Sequence, residues 1–142
     1  MLAIRELNVY IQASHILRDV ALEVGERELV CLVGRNGAGK TTTLRTVMGY
    51  LTPAGGTIEF NGRNIAGLPT HAIAAMGIGF SPEESEIFAD LTVAENIEMG
   101  TWTRPSGRAG AERIARAYEV FPQLRGYALR GGTQISGGER KM

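Results

Sequence analysis

A single cysteine, Cys31, stands in the chain, so no disulfide can close within it. Folding must then rest on apolar burial, and a lone thiol suits a reducing compartment. Cys31 falls in the run Glu28-Leu29-Val30-Cys31-Leu32-Val33 and reads as a small buried side chain of a strand. Long apolar stretches are also missing; none approaches the roughly 20 residues of a membrane span. The N-terminus lacks the charged-then-apolar pattern of a secretion signal. A soluble, cytoplasmic protein is expected. Neither sign of charge prevails. Fifteen basic residues balance 15 acidic ones with no basic run, which removes the electrostatic basis for a nucleic-acid partner. Internal repeats and low-complexity tracts are absent. What is present is apolar material for a core, 44% of 142 residues, at a length of one domain or part of a larger one.

The strongest pattern is Gly34-Arg35-Asn36-Gly37-Ala38-Gly39-Lys40-Thr41. Gly, four residues, Gly, Lys, Thr is the spacing of a phosphate-binding loop, the Walker A motif. The apolar run before it predicts a strand. Residues 41–48 predict a helix, with Leu44, Val47 and Met48 at helical spacing and Gly49 ending it. Glycines let the backbone curve round a polyphosphate with several N–H groups pointing inward. The helix start adds about half a positive charge. Lys40 supplies a mobile cation for the outer phosphates, the Thr41 hydroxyl a ligand for Mg²⁺, and Thr42 a second hydroxyl. The bland alternative is a glycine-rich turn that binds nothing.

Residues 2–9 and 17–24 read as strands, joined by a turn near 10–14 and followed by a tight Gly25-Glu26 turn. Two antiparallel strands thus precede the loop. Residues 57–60 and 63–65 predict a hairpin about Asn61-Gly62. A short helix over 69–76, with Thr70 as its cap, leads to an apolar strand over 77–80; a strand returning after a helix implies a parallel crossover beside the 28–33 strand. Thr92-Val93-Ala94-Glu95 is a capping box for a helix that Gly100 ends. Residues 101–110 read as loop. Residues 111–121 read as a helix with Ile114, Tyr118 and Phe121 on one stripe, Glu112 and Arg116 paired, and Pro122 as its stop. Ser136-Gly137-Gly138-Glu139 is a second capping box. Two glycines in a first turn cost about 1 kcal/mol each, which makes sense where something approaches the backbone closely. The tip could hold an anion, or it could be an ordinary, weakened cap.

A Walker A loop followed about a hundred residues later by Ile135-Ser136-Gly137-Gly138-Glu139 resembles the ATP-binding-cassette (ABC) ATPases, whose signature motif is usually written LSGGQ. The resemblance spans the chain. It implies an α/β fold of the P-loop NTPase class: an antiparallel β subdomain and partial parallel-sheet core over residues 1–82, then a Gln-loop region, helical subdomain and signature over 83–142. It implies ATP and Mg²⁺ as ligands, and two such domains stacked head to tail. Gly34 to Thr42 of one would then hold a nucleotide that Ile135 to Glu139 of the other covers. Family members stack an aromatic residue on adenine. Here Tyr10 is aromatic, but the best-aligned position is Ile11, so Tyr10 either takes the role by a one-residue shift or is an ordinary strand-end tyrosine. Glu83 stands where the family has a Mg²⁺-reaching Gln; a carboxylate can serve as a metal ligand, or belong to a solvated acidic loop.

The stretch SPEESEIFADLTVAENIEMG, followed by YEVFPQL, most resembles the ATPase subunits of branched-chain amino acid importers. Urea and short-amide importers look much alike. The resemblance implies transmembrane permease subunits as partners and a place on the inner face of the membrane. The Walker B strand, catalytic Glu, D-loop and switch His of the family would come after Met142. The chain is therefore expected to be about the first three-fifths of a longer protein, with no catalytic base of its own. His15 and His71 precede the signature and read as surface residues. Alone, the 142-residue polypeptide is expected to be poorly soluble or partly molten, and a sharp cooperative melt would contradict this. A truncated, non-hydrolysing nucleotide-binding module and a soluble ABC protein of DNA repair or translation are the other classes considered.

Overall fold

The computed structural model describes residues 1–84, 87–102 and 107–141, the first two residues of the last stretch by backbone only. It divides into two compact units, Met1–Ile78 and Gly79–Met142.

The first unit is built on a four-stranded antiparallel sheet in the order β2-β1-β3-β4. The strands are β1 (Leu2–Ile11), β2 (Ser14–Val24), β3 (Gly55–Phe60) and β4 (Arg63–Asn64). β1 is central because its apolar side chains fill the core: Ile4, Leu7 and Val9 are buried, with Leu17 of β2 and Ile58 of β3. Its ladders slip at bulges around Glu6 and Asp19, both at positive φ. The predicted Asn61-Gly62 hairpin forms with φ of +50° and +78°, the conformation of a type I′ turn. Helix α1 (Lys40–Val47) buries Thr43, Thr46 and Val47. The two threonine hydroxyls donate to the Gly39 and Thr42 carbonyls one turn back, so their burial leaves no orphan. Leu44, expected on the buried stripe, is 48% exposed. Helix α2 (Thr70–Ala75) falls within the expected 69–76, with Pro69 rather than Thr70 at the cap.

Two expected strands are absent among the described residues. Residues 28–33 and 78–80 carry no regular structure and join no ladder, and Gly77 lies in a turn at φ +101°. A parallel strand exists only as part of a ladder, and neither segment belongs to one among the described residues. The consequence is plain in the side chains: Leu29 and Val33 are 90% and 86% exposed, and Cys31 is exposed, not buried as its apolar setting predicts.

The second unit holds helices α3 (Val93–Met99) and α4 (Gly107–Val120), followed by a 3₁₀ turn over Pro122–Tyr127. Val93, Leu124 and Ile135 form its core, with Ile97, Tyr118 and Phe121 packed around them. The predicted stripe is thus the packing face. α4 starts before the expected residue 111, and buried Gly110 sits inside it. Residues 103–106 of the expected loop lie outside the described residues. Arg116 bonds Glu119 at 3.1 Å, an i,i+3 pair. The Thr92–Glu95 capping box is complete, and a bridge from Thr92 to Gly131 ties the α3 start to the segment leading to Ile135.

Candidate nucleotide site

Residues 34–38 form an exposed loop, and at buried Gly39 the chain turns into α1. Gly37 and Gly39 take φ of +83° and +88°, which lets successive N–H groups point to one side. Among the described residues, the N–H groups of Gly37, Gly39, Lys40, Thr41 and Thr42 have no acceptor. Ala38 alone closes a turn, donating to the Arg35 carbonyl at 3.1 Å. The Lys40 ammonium lies across the loop, donating to the Gly34 and Arg35 carbonyls, each at 2.8 Å. That leaves one N–H donor free. The Thr41 side chain is exposed in the first turn of α1. Five unpaired donors, one cation and one hydroxyl on one loop fit a polyphosphate with a bound Mg²⁺. Arg35 and Asn36 are exposed on the outer side of the turn.

The hairpin of β1 and β2 abuts this loop. A β-carbon on Gly39 would lie 2.6 Å from Leu17 Cδ2 and 3.7 Å from the Ile16 carbonyl. Tyr10 is 50% exposed at the end of that hairpin, and Ile11 is 42% exposed beside it. His15 is half-buried, not a free surface residue, while His71 is exposed.

The signature stretch splits by burial. Ile135 is 6% exposed among Val93 and Leu124, so its side chain anchors the turn. Ser136, Gly137 and Gly138 are exposed, and added β-carbons on either glycine would meet nothing within 4 Å. The capping box forms, with Ser136 N–H to Glu139 Oε2 at 2.6 Å and Glu139 N–H to Ser136 Oγ at 3.3 Å. The helix expected there is one 3₁₀ turn over Glu139–Lys141, and Met142 lies outside the described residues. Glu83 is exposed in the second unit, whereas Thr41 belongs to the first.

These features agree with one family, and comparison decides it: residues 17–142 match the family described as ABC transporter. The chain belongs to the ABC transporter family. The ATP-binding protein LivF of Archaeoglobus fulgidus, named for probable branched-chain amino acid transport, is 36% identical over 142 residues, all of this chain and 60% of LivF. LptB of Acidithiobacillus ferridurans, named for lipopolysaccharide export, is 38% identical over 128 residues, 89% of this chain and 52% of LptB. The solved ATP-binding subunit of an ABC transporter matches 99% of this chain and 58% of its own, with a TM-score of 0.85 and 27% identity. This ABC transporter chain thus spans about three-fifths of the relatives it matches.

Sequence reasoning missed one tie at the signature. Lys141 Nζ donates to the Pro82 and Glu83 carbonyls at 2.7 and 2.6 Å, joining the turn to the loop that carries Glu83. Nothing local signals a contact across 58 residues. Among the described residues no helix is long and apolar enough to cross a membrane, and no cluster of three His, Cys, Asp or Glu could hold a metal.

Both capping-box glutamates are held below the usual carboxylate range. For Glu95 the main cause is the Thr92 hydroxyl, then the Thr92 N–H; for Glu139 it is the Ser136 N–H, then its hydroxyl. A depressed folded pKa stabilises the fold above the unfolded value, about 4.3, and that gain is lost as pH falls through the folded value. Thermal unfolding followed from pH 7 to pH 3 is expected to show this loss on the acid side. The paired Glu95→Gln and Glu139→Gln variant should flatten it; an unchanged acid limb would show that the caps contribute nothing.

Proposed function

We propose that this chain is the nucleotide-holding part of an ABC transporter ATPase subunit that binds Mg²⁺-ATP and, in the complete protein, hydrolyses it to drive transport. The observation that carries this is the loop with five unpaired N–H donors and Lys40 across its mouth. Lys40 and the backbone of residues 34–42 bind phosphate, and Thr41 holds Mg²⁺. Glu83 is the proposed second Mg²⁺ ligand. Residues 1–82 form the β and phosphate-loop part, and 83–142 the helical part with the signature.

Ser136, Gly137 and Gly138 act in trans on the nucleotide of a second ATP-binding subunit, with the Glu139 carboxylate fixing the turn. Their exposure and the open space at both glycines support this. The partner is a second ATP-binding chain, identical or different, and permease subunits hold the pair on the inner membrane face. Branched-chain amino acid import is the favoured transport process, supported by the LivF match over the whole chain. The LptB match favours a second reading, an exporter subunit. Leucine uptake that stops when the gene is deleted supports import; unchanged uptake argues for the second reading.

A mixing experiment tests the composite site. Lys40→Ala damages the loop, and Ser136→Arg blocks the signature. Each variant alone should lose ATP hydrolysis. Mixed in equal amounts, half the dimers carry one intact site, so activity should return to about a quarter of wild type. No recovery would show that loop and signature do not meet across a dimer of two copies of this chain.

A further inference from the structure

Lys141 closes the turn that follows the signature, and its ammonium donates to two consecutive main-chain carbonyls, Pro82 at 2.7 Å and Glu83 at 2.6 Å. One ammonium reaches both only where the backbone curves round it, and Glu83 stands in a turn. Pro82 fixes one dihedral of that stretch in advance, because its ring locks φ at about −65°. Bonds from a charged donor are roughly twice as strong as neutral ones. Both acceptors are backbone oxygens, so the grip sets the course of the chain at Glu83 and does not use its carboxylate. At its other end Lys141 is knit to the signature. Its N–H donates to the Gly138 carbonyl at 3.1 Å, and the Arg140 N–H to the Ser136 carbonyl at 3.0 Å. Arg140 Nε reaches the Ile135 carbonyl at 3.3 Å. The lysine is therefore tied to residues 135–138 by the backbone and to residues 82 and 83 by its side chain.

On the reading given under Proposed function, the two ends of this tie serve different nucleotides. Ser136, Gly137 and Gly138 engage the nucleotide of the second subunit, whereas Glu83 serves the metal of this chain's own. A two-fold pair of such chains repeats the tie, once in each subunit. We propose that Lys141 links the two nucleotide sites: as the signature turn settles on the partner's nucleotide, the ammonium sets the backbone at Pro82 and Glu83 for the chain's own. Lys141 is a positioning residue that touches neither nucleotide, and its role rests on that reading. Hydrogen-bonded contacts that join two sites can carry free energy between them. Two sites linked in this way raise the Hill coefficient for ATP from about 1 toward about 2.

The complete protein, as its gene encodes it, tests this with two readouts. Lys141→Met keeps the stem of an exposed side chain and removes its donors. Hydrogen exchange without nucleotide reads the tie: the amides of residues 83 and 84 should exchange about threefold faster or more in that variant, while those of the Thr92–Glu95 cap hold their wild-type rates. Titration with Mg²⁺ and a slowly hydrolysed ATP analogue reads the link. Wild type should bind with a Hill coefficient of about 1.5–2 and Lys141→Met with about 1. Lys141→Arg still offers donors to two carbonyls and should keep most of the cooperativity. A signature turn that is only loosened slows hydrolysis and leaves the binding coefficient where it was; an unchanged coefficient in Lys141→Met overturns the proposal. So does unchanged exchange at residues 83 and 84, which means that the tie does not form in solution. A wild-type coefficient of about 1 overturns it as well, and so does complete loss of binding in Lys141→Met, since the ammonium is assigned no ligand contact. If wild type binds no analogue at all, the nucleotide reading itself fails and the link falls with it.

Discussion

Lys40→Ala is expected to weaken ATP binding by more than tenfold while leaving the fold intact. The ammonium touches only the Gly34 and Arg35 carbonyls, and the loop it crosses is exposed. Removing it disturbs no core contact. Its proposed work is charge-assisted hydrogen bonding to the outer phosphates, worth about 1.5–3 kcal/mol, which converts to roughly ten- to 150-fold in affinity. Calorimetric titration checks this, and adenosine serves as the control because it carries no phosphate. ATP affinity should fall and adenosine affinity should hold. Lys40→Arg should not restore the loss, since a rigid guanidinium fork does not replace a compact ammonium in a tight loop. Unchanged ATP affinity in Lys40→Ala would remove the phosphate role from this residue.

The largest expected loss of stability is at Gly56. It sits in β3 at φ +88°, opposite the β1 bulge, and an added β-carbon would lie 2.3 Å from the Glu6 carbonyl oxygen and 2.6 Å from that of Arg5. Both obstacles are backbone in the central strand, so neither can swing aside. The left-handed conformation costs a side chain about 1–2 kcal/mol, and forcing atoms into a packed site adds about 1–3 kcal/mol. Gly56→Ala should therefore cost about 2–5 kcal/mol. Gly62→Ala is the matched control: φ is +78° there too, but nothing lies within 4 Å of the added carbon. It should cost only the conformational part. Urea unfolding of the two variants reads the difference as a shift in midpoint at unchanged slope. Equal midpoints would show that the bulge relaxes and the contact carries no weight.

Much of this fold was legible because its signals are local. The Asn61-Gly62 turn and the two capping boxes depend on residues within four positions of one another, and the glycine loop on the eight from Gly34 to Thr41. They formed as their chemistry dictates. The family followed from two such local motifs in the right order. What failed was non-local. Residues 28–33 have the composition of a buried strand, but composition does not supply a partner edge, and Cys31 and Leu29 are exposed as a result. Leu44 fits a helical stripe, yet the α1 face that packs carries Thr43 and Thr46, whose hydroxyls bond their own helix. The Tyr10 and His15 rings stack through the bulged register of β1 on β2, which alternation cannot reveal. That Ile135 anchors the signature turn in the core with Val93 and Leu124 was likewise not visible from the motif alone.

The most direct test is a crystal structure of the protein grown with Mg²⁺ and a slowly hydrolysed ATP analogue. The phosphates should lie within hydrogen-bond distance of the Gly37, Gly39, Lys40 and Thr41 N–H groups, with Lys40 Nζ turned from the Gly34 and Arg35 carbonyls toward them and Mg²⁺ on the Thr41 hydroxyl. A nucleotide bound elsewhere, with Lys40 still on those two carbonyls and the loop N–H groups facing only water, would contradict the account.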